Sequence, residues 1–139
     1  MQPDLGKENK ELIDQYDGIA IGNKNEKTIY LTFDLGYEAG YTENILDTLK
    51  EKNVKACFFI TAHYLNTHPE IVKRMIEEGH DVGNHTVNHK SMPEISDAEI
   101  KKEVMDLHTA IYEKFGYEMK YIRPPKGEYS ERTLQLCNE

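Results

Sequence analysis

Short apolar runs alternate with amphipathic segments along most of this chain, and the alternation constrains its fold more than any other feature. Runs rich in β-branched and aromatic residues predict strands, whereas apolar residues spaced three and four apart predict helices. The predicted strands are 28–33, 56–61, 81–86 and 121–122, and the predicted helices are 42–52, 69–78, a long helix between Ser96 and Gly116, and 130–136. Four strand-then-helix units predict an α/β fold with parallel strands, as an open sheet or as part of a (β/α) barrel.

The chain divides into a lead-in segment and one domain. Residues 1–27 are polar and lack sustained periodicity, although Leu12, Ile13 and Tyr16 are spaced for a short helical stripe. Residues 28–139 contain all four predicted units, and their length suits a single hydrophobic core. We therefore predict an N-terminal segment at 1–27 and a domain at 28–139.

Charge and hydropathy exclude two classes of partner. The 25 acidic and 17 basic residues give a formal net charge of −8, which repels a phosphate backbone, so nucleic acid is not expected as a partner. No run approaches the ~20 apolar residues of a membrane span, and the first residues lack the pattern of a secretion signal. The two cysteines, Cys57 and Cys137, form no close Cys-x-x-Cys pair.

Two charged residues stand where predicted strands end. Asp34 follows the first apolar run, and by itself it suits either a turn or a reactive carboxylate at the edge of a sheet. Arg123 follows the last run and precedes two prolines. Its guanidinium group can orient a carboxylate such as Asp34, although an ordinary surface salt bridge is an equal alternative.

His85 lies near the end of the third predicted strand, and His89 follows that strand. Imidazoles four residues apart can converge on one divalent ion, from a helix face or from a tight loop. This spacing alone is a weak signal, because two solvated loop histidines have the same spacing.

The order of three motifs resembles the polysaccharide deacetylase family, also known as NodB-homology domains or carbohydrate esterase family 4. The resemblance extends from about residue 27 to 132 and rests on Thr32-Phe33-Asp34-Leu35, His85-Thr86-Val87-Asn88-His89 and Arg123-Pro124-Pro125-Lys126-Gly127. The residues around the first and third motifs are most similar to the delta-lactam-biosynthetic de-N-acetylases, which act on muramic acid in the peptidoglycan of the spore cortex.

The resemblance implies a distorted (β/α) barrel and a metal-dependent hydrolase that removes N-acetyl groups from a cell-wall polysaccharide. In this scheme Asp34 is the general base, Arg123 orients it, and His85 and His89 bind a divalent metal, zinc first and cobalt or manganese as alternatives. The implied substrate is the muramic acid of peptidoglycan, and the implied location is extracytoplasmic, at the cell wall, with a role in sporulation.

The sequence departs from the family pattern in two places. Leu35 replaces the usual second aspartate, a third protein ligand, and its side chain has no donor atom; Glu38 or Asn88 is left as a substitute through a water. The chain also ends at Glu139, before the strands that carry the family's general acid. We therefore expect a barrel truncated after about four units, either as a fragment or as a shortened homologue that self-associates through open strand edges.

These departures keep two other functions open. The first is a noncatalytic carbohydrate-binding or assembly module that keeps a degenerate deacetylase cleft. The second is an esterase that removes acetyl groups from xylan, which would use the same residues on a different substrate.

Overall fold

A three-stranded parallel sheet lies at the centre of the computed structural model, which describes residues 5–139. Strands β1 (Leu31–Leu35), β2 (Ala56–Ile60) and β3 (Asp81–Asn84) lie in the order β1-β2-β3. Asp34 pairs with Phe59 in the register of β1 and β2, and Phe59 pairs with Gly83 in that of β2 and β3. The predicted parallel α/β arrangement is confirmed.

Six α-helices accompany the sheet in the described residues. They are α1 (Lys7–Gln15), α2 (Thr42–Glu51), α3 (Ala62–Thr67), α4 (Pro69–Glu77), α5 (Asp97–Phe115) and α6 (Glu131–Asn138). Helix α5 begins at a capping box formed by Ser96 and Glu99 and ends at Gly116, whose φ of 65° is left-handed. None of the helices formed by residues 5–139 has the length and apolar character needed to span a bilayer.

The first, third and fourth predicted strands differ from the observed ones. The third ends at Asn84 rather than at residue 86. Strand β1 begins at Leu31 rather than residue 28 and continues to Leu35, so Asp34 lies inside the strand. The prediction of a fourth strand at 121–122 was wrong, because Ile122 forms only an isolated parallel bridge to Asn84. Proline follows at 124, and proline donates no backbone hydrogen bond to a strand ladder.

The two faces of the sheet have different surroundings. Alternate residues of the strands, among them Phe58, Ile60 and Val82, are fully buried in the main hydrophobic cluster with residues of α2, α4 and α5. The intervening residues include Asp34, Phe59 and Gly83 and face the opposite side. Since the strands are parallel, the residues after β1, β2 and β3 lie at one edge of the sheet. There the backbone N–H of Thr61 donates to the Leu35 carbonyl, and the backbone N–H of His85 donates to the Ile60 carbonyl.

Candidate functional site

The predicted histidine pair lies at this carboxyl edge, with its two rings in contact. The Nε2 atoms of His85 and His89 are 3.1 Å apart, and the rings meet edge to face with centroids 4.7 Å apart. His85 directly follows β3 and is only 4% exposed, whereas His89 is open to solvent. The pair therefore has one buried and one accessible member.

Hydrogen bonding fixes the tautomer of His85. Its Nδ1 lies 2.8 Å from the carbonyl oxygen of Arg123, which can only accept, so Nδ1 carries the proton. Burial lowers the pKa of His85, although the Arg123 carbonyl and the charge of Asp34 act in the opposite direction. The ring is thus held neutral with the lone pair of Nε2 directed at His89, which is the form that binds metals.

The loop between the histidines has an unusual backbone. Thr86 and His89 have φ values of 69° and 55°, a left-handed conformation that costs about 1 kcal/mol or more for a residue with a Cβ atom. The Asn84 side chain accepts a hydrogen bond from the Thr86 backbone at 2.9 Å, and the Thr86 hydroxyl accepts one from the His89 backbone at 3.1 Å. These bonds turn the chain sharply enough to bring the two rings together.

Asp34 and Arg123 form the second part of the site. The Nη1 of Arg123 donates to the Oδ1 of Asp34 at 2.7 Å, and Nη2 donates to the hydroxyl of Thr32 at 2.9 Å. The guanidinium carbon lies 4.2 Å from the centroid of the Phe59 ring, a cation–π contact. Three contacts thus define the position of a side chain that is 35% exposed.

Arg123 joins the two parts. Its side chain holds Asp34 on β1, while its backbone carbonyl holds His85 after β3. Its backbone N–H also donates to the Asn84 carbonyl at 3.0 Å. The structure therefore brings together all four residues that the sequence singled out: Asp34, His85, His89 and Arg123.

Within the part of the chain that the structure describes, no third protein ligand accompanies the histidines. Leu35 packs against the hydrophobic cluster, and no group of three or more His, Cys, Asp or Glu side chains in residues 5–139 is arranged to hold a metal. Glu38 is directed elsewhere, since its carboxylate accepts hydrogen bonds from Gly40, Tyr41 and Tyr64. The 3.1 Å between the Nε2 atoms still fits a shared cation, because two nitrogens each about 2.0–2.1 Å from one zinc ion lie roughly 3 Å apart.

Sequence reasoning missed the residues that support this site. Phe59 was part of an apolar run with no separate signal. Gly83 carried one, because a glycine inside a strand often marks a close approach, and a Cβ atom at this position would lie 2.4 Å from the Phe59 ring. Asn84 and Glu103, which hold the histidine loop, were also missed.

Comparison with known proteins relates the chain to one family. The family model for polysaccharide deacetylase matches residues 21–139. A peptidoglycan-N-acetylmuramic acid deacetylase of Bacillus subtilis, PdaA, is 42% identical over 96% of this chain and 51% of its own length. An uncharacterised 30.6 kDa protein of Geobacillus stearothermophilus is 52% identical over 99% of this chain and 52% of its own length.

The fold agrees with these similarities. The solved structure of B. subtilis PdaA, described as a family 4 carbohydrate esterase, matches with a TM-score of 0.94 and 40% identity over 99% of this chain. The match covers 59% of that structure, and the chain spans about half the length of the curated relatives it matches. The strands and helices described above thus correspond to part of a carbohydrate esterase domain.

Proposed function

Because this chain belongs to the polysaccharide deacetylase family, we propose that it is a metal-dependent hydrolase that removes N-acetyl groups from the muramic acid of peptidoglycan. The observation that carries the proposal is the single cluster in which Arg123 holds both Asp34 and His85, with His89 beside them. The name of the similar B. subtilis protein supports the choice of muramic acid. The same proposal places the protein at the cell wall, in sporulation, with residues 28–139 as its catalytic domain.

His85 and His89 would hold the metal through Nε2, with zinc as the first candidate and cobalt or manganese as alternatives. A divalent cation bound there supplies a Lewis acid that polarises a carbonyl group and acidifies water. The neutral tautomer of His85 leaves its Nε2 lone pair available for this role. Leu35 would contribute no ligand to such a cation, because its side chain has no donor atom.

Asp34 accepts the proton of the attacking water in this proposal. Arg123 engages Oδ1, so we assign proton abstraction to Oδ2. Arg123 also keeps the carboxylate oriented, since its guanidinium is fixed by Thr32 and Phe59. Water adds to the acetamide carbonyl carbon, and the proton taken up by Asp34 is returned to the nitrogen as the C–N bond breaks, so that the products are acetate and a free sugar amine.

Acetate release tests the proposal directly. The chain is incubated with N-acetylated peptidoglycan fragments, with and without added zinc, and released acetate is measured. We expect zinc-dependent release that Asp34→Asn reduces by about 10²–10⁴-fold without loss of zinc binding. His85→Ala should abolish tight zinc binding in calorimetry, whereas His63→Ala, at an exposed histidine of α3, should change neither property.

Leu35 favours one competing function, a noncatalytic module that binds glycan in a degenerate cleft, because it offers no atom to a metal. Glycan binding without acetate release at any zinc concentration would support that module and contradict the hydrolase. A panel with chitin oligosaccharides and acetylated xylan separates the other deacetylase and esterase substrates.

We also propose self-association through the free edge of the sheet. Among the described strands β1 pairs only with β2. Ile29 and Tyr30, which lead into β1, and Leu31, its first residue, are 86%, 70% and 40% exposed. Exposed apolar strand edges pair readily with other chains, and a charged residue there prevents it. Sedimentation velocity should show concentration-dependent association that Tyr30→Lys reduces and Tyr112→Lys, at an exposed tyrosine of α5, does not.

A further inference from the structure

Glu103 is a buried carboxylate in the middle of α5 that faces the histidine loop. It is only 5% exposed, on a helix whose other buried residues are apolar. Its Oε2 accepts the backbone N–H of Asn88 at 2.7 Å, and its Oε1 accepts the side-chain amide of the same residue at 2.7 Å. Its backbone carbonyl accepts the N–H of Val87 at 3.1 Å.

These contacts are placed where the loop needs support. Val87 and Asn88 lie between Thr86 and His89, the two residues with left-handed backbones. A loop with two such residues keeps its shape only when its surroundings fix it. Hydrogen bonds to a carboxylate are shorter and stronger than those between neutral groups, and Asn88 donates two of them to Glu103.

The position of the charge argues for a specific role. Burial of a carboxylate is unfavourable unless hydrogen bonds or a cation compensate it. The nearest ammonium group, Lys90 Nζ, is 3.8 Å from Oε1 and belongs to a side chain that is 45% exposed. The two Asn88 bonds are therefore the main compensation, which couples the charge on α5 to the geometry of the loop.

We propose that Glu103 is a positioning residue that holds Asn88 and so keeps the Nε2 atoms of His85 and His89 at the spacing of a shared divalent cation. This inference rests on the proposed function, because it assigns Glu103 a role in the metal site. Glu103 contacts neither imidazole and acts only through the loop.

The hydrogen bonds between Glu103 and Asn88 suggest a pair of substitutions that exchanges the donor and the acceptor. Both carboxylate oxygens of Glu103 accept, so Glu103→Gln places an amide donor against one of the two donors of Asn88. Asn88→Asp places a carboxylate against the carboxylate of Glu103. In the double variant the new amide can donate to the new carboxylate and still accept the backbone N–H, and the net charge is unchanged.

The zinc affinity of the full chain is measured by calorimetry, and the visible absorption of bound Co²⁺ reports on the coordination of the metal. Each single variant should bind zinc about 10–100-fold more weakly, as expected for loss of a residue that orients metal ligands. The double variant should recover the affinity and the Co²⁺ spectrum. Glu113→Gln, which removes the same charge from an exposed position of α5, should bind as the unaltered chain does.

Urea unfolding without metal separates positioning from a purely structural role. Loss of metal-free stability with unchanged zinc affinity and Co²⁺ spectrum would overturn the inference, as would a double variant that stays weak. Asn88 is exposed, so Asn88→Asp keeps the test available if Glu103→Gln folds poorly. If both single variants bind zinc with normal affinity while His85→Ala does not bind it, this inference alone is overturned. If the unaltered chain does not bind zinc, the proposed function is overturned as well.

Discussion

Two carboxylates close together in sequence, Asp34 and Glu38, have different tasks because their partners differ. Asp34 accepts a hydrogen bond from the Arg123 side chain and is 45% exposed, so it remains accessible to a substrate. Glu38 accepts backbone N–H groups at the start of α2 and the hydroxyl of Tyr64 at 2.6 Å. Burial alone raises the pKa of Glu38, but hydrogen bonds from Thr42, Tyr64 and Gly40 outweigh it and lower the pKa to about 2. Glu38 therefore stabilises the helix start rather than a metal site.

Glu38→Gln tests this assignment through pH. The folded pKa of about 2 lies below the ordinary value of 4.5, so the charge contributes stability that is present above pH 4.5 and lost as pH falls toward 2. At pH 7 the variant should be less stable by about 1 kcal/mol, the usual cost of losing a helix cap. Urea unfolding at pH 7 and pH 3 should show this difference shrinking in acid.

A difference that stays constant between the two pH values would contradict the assignment. Glu43→Gln is the control, because Glu43 lies in the first turn of the same helix with an exposed side chain.

At this scale the sequence predicted which residues meet but not what holds them. Asp34, His85 and Arg123 follow or end apolar runs, so parallel strands bring them to one edge whatever the details of packing. Glu103 carried a signal that was overlooked, since it lies three residues after buried Ile100 and four before buried Leu107, on the buried stripe of α5. Its partner could not be inferred, because the facing loop is set by tertiary structure.

The strands and helices show where local signals were sufficient and where they were not. Helices α5 and α6 were predicted to within a residue or two. Ser96 and Ser130 cap them in the structure, since each accepts a backbone hydrogen bond at the third helical position. Helix α3 was missed because Thr61 was assigned to the preceding strand, although its side chain caps the helix. A threonine suits both roles, so the sequence alone does not separate them.

Packing between strands predicts the effect of Gly83→Ala. The added methyl group would lie 2.4 Å from the Phe59 ring, so the ring must move. Overpacking of this kind costs about 1–3 kcal/mol. Since the Phe59 ring lies beneath the Arg123 guanidinium, the substitution should also reduce acetate release.

Urea unfolding and acetate release are compared with those of Gly36→Ala, a glycine with no heavy atom within 4 Å of its added Cβ. Equal stability of the two variants would show that the Phe59 ring is free to move aside, and the proposed support of Arg123 would then be wrong.

On the scale of the whole molecule, the residues of the candidate site lie at the carboxyl edge of the sheet, and one face of that sheet is buried in the hydrophobic cluster. The hydrophobic cluster lies on the helix side, so changes among Asp34, His85, His89 and Arg123 leave most of the core intact. The sequence predicted this α/β arrangement from alternation alone. The extent of the barrel came from family resemblance, because strand order and closure depend on contacts between distant segments.

Zinc should stabilise the folded chain as a whole. The two imidazoles have a fixed 3.1 Å spacing only in the fold, so a cation that needs both binds the native state in preference to the unfolded one. At free zinc of 100 times its Kd this linkage adds about 2.7 kcal/mol to the free energy of unfolding. Thermal unfolding should therefore shift to a higher Tm with zinc and return with a chelator. Asp34→Asn should keep the shift and His85→Ala should lose it; an equal shift in His85→Ala would mean that zinc binds elsewhere and that the histidine pair is not its site.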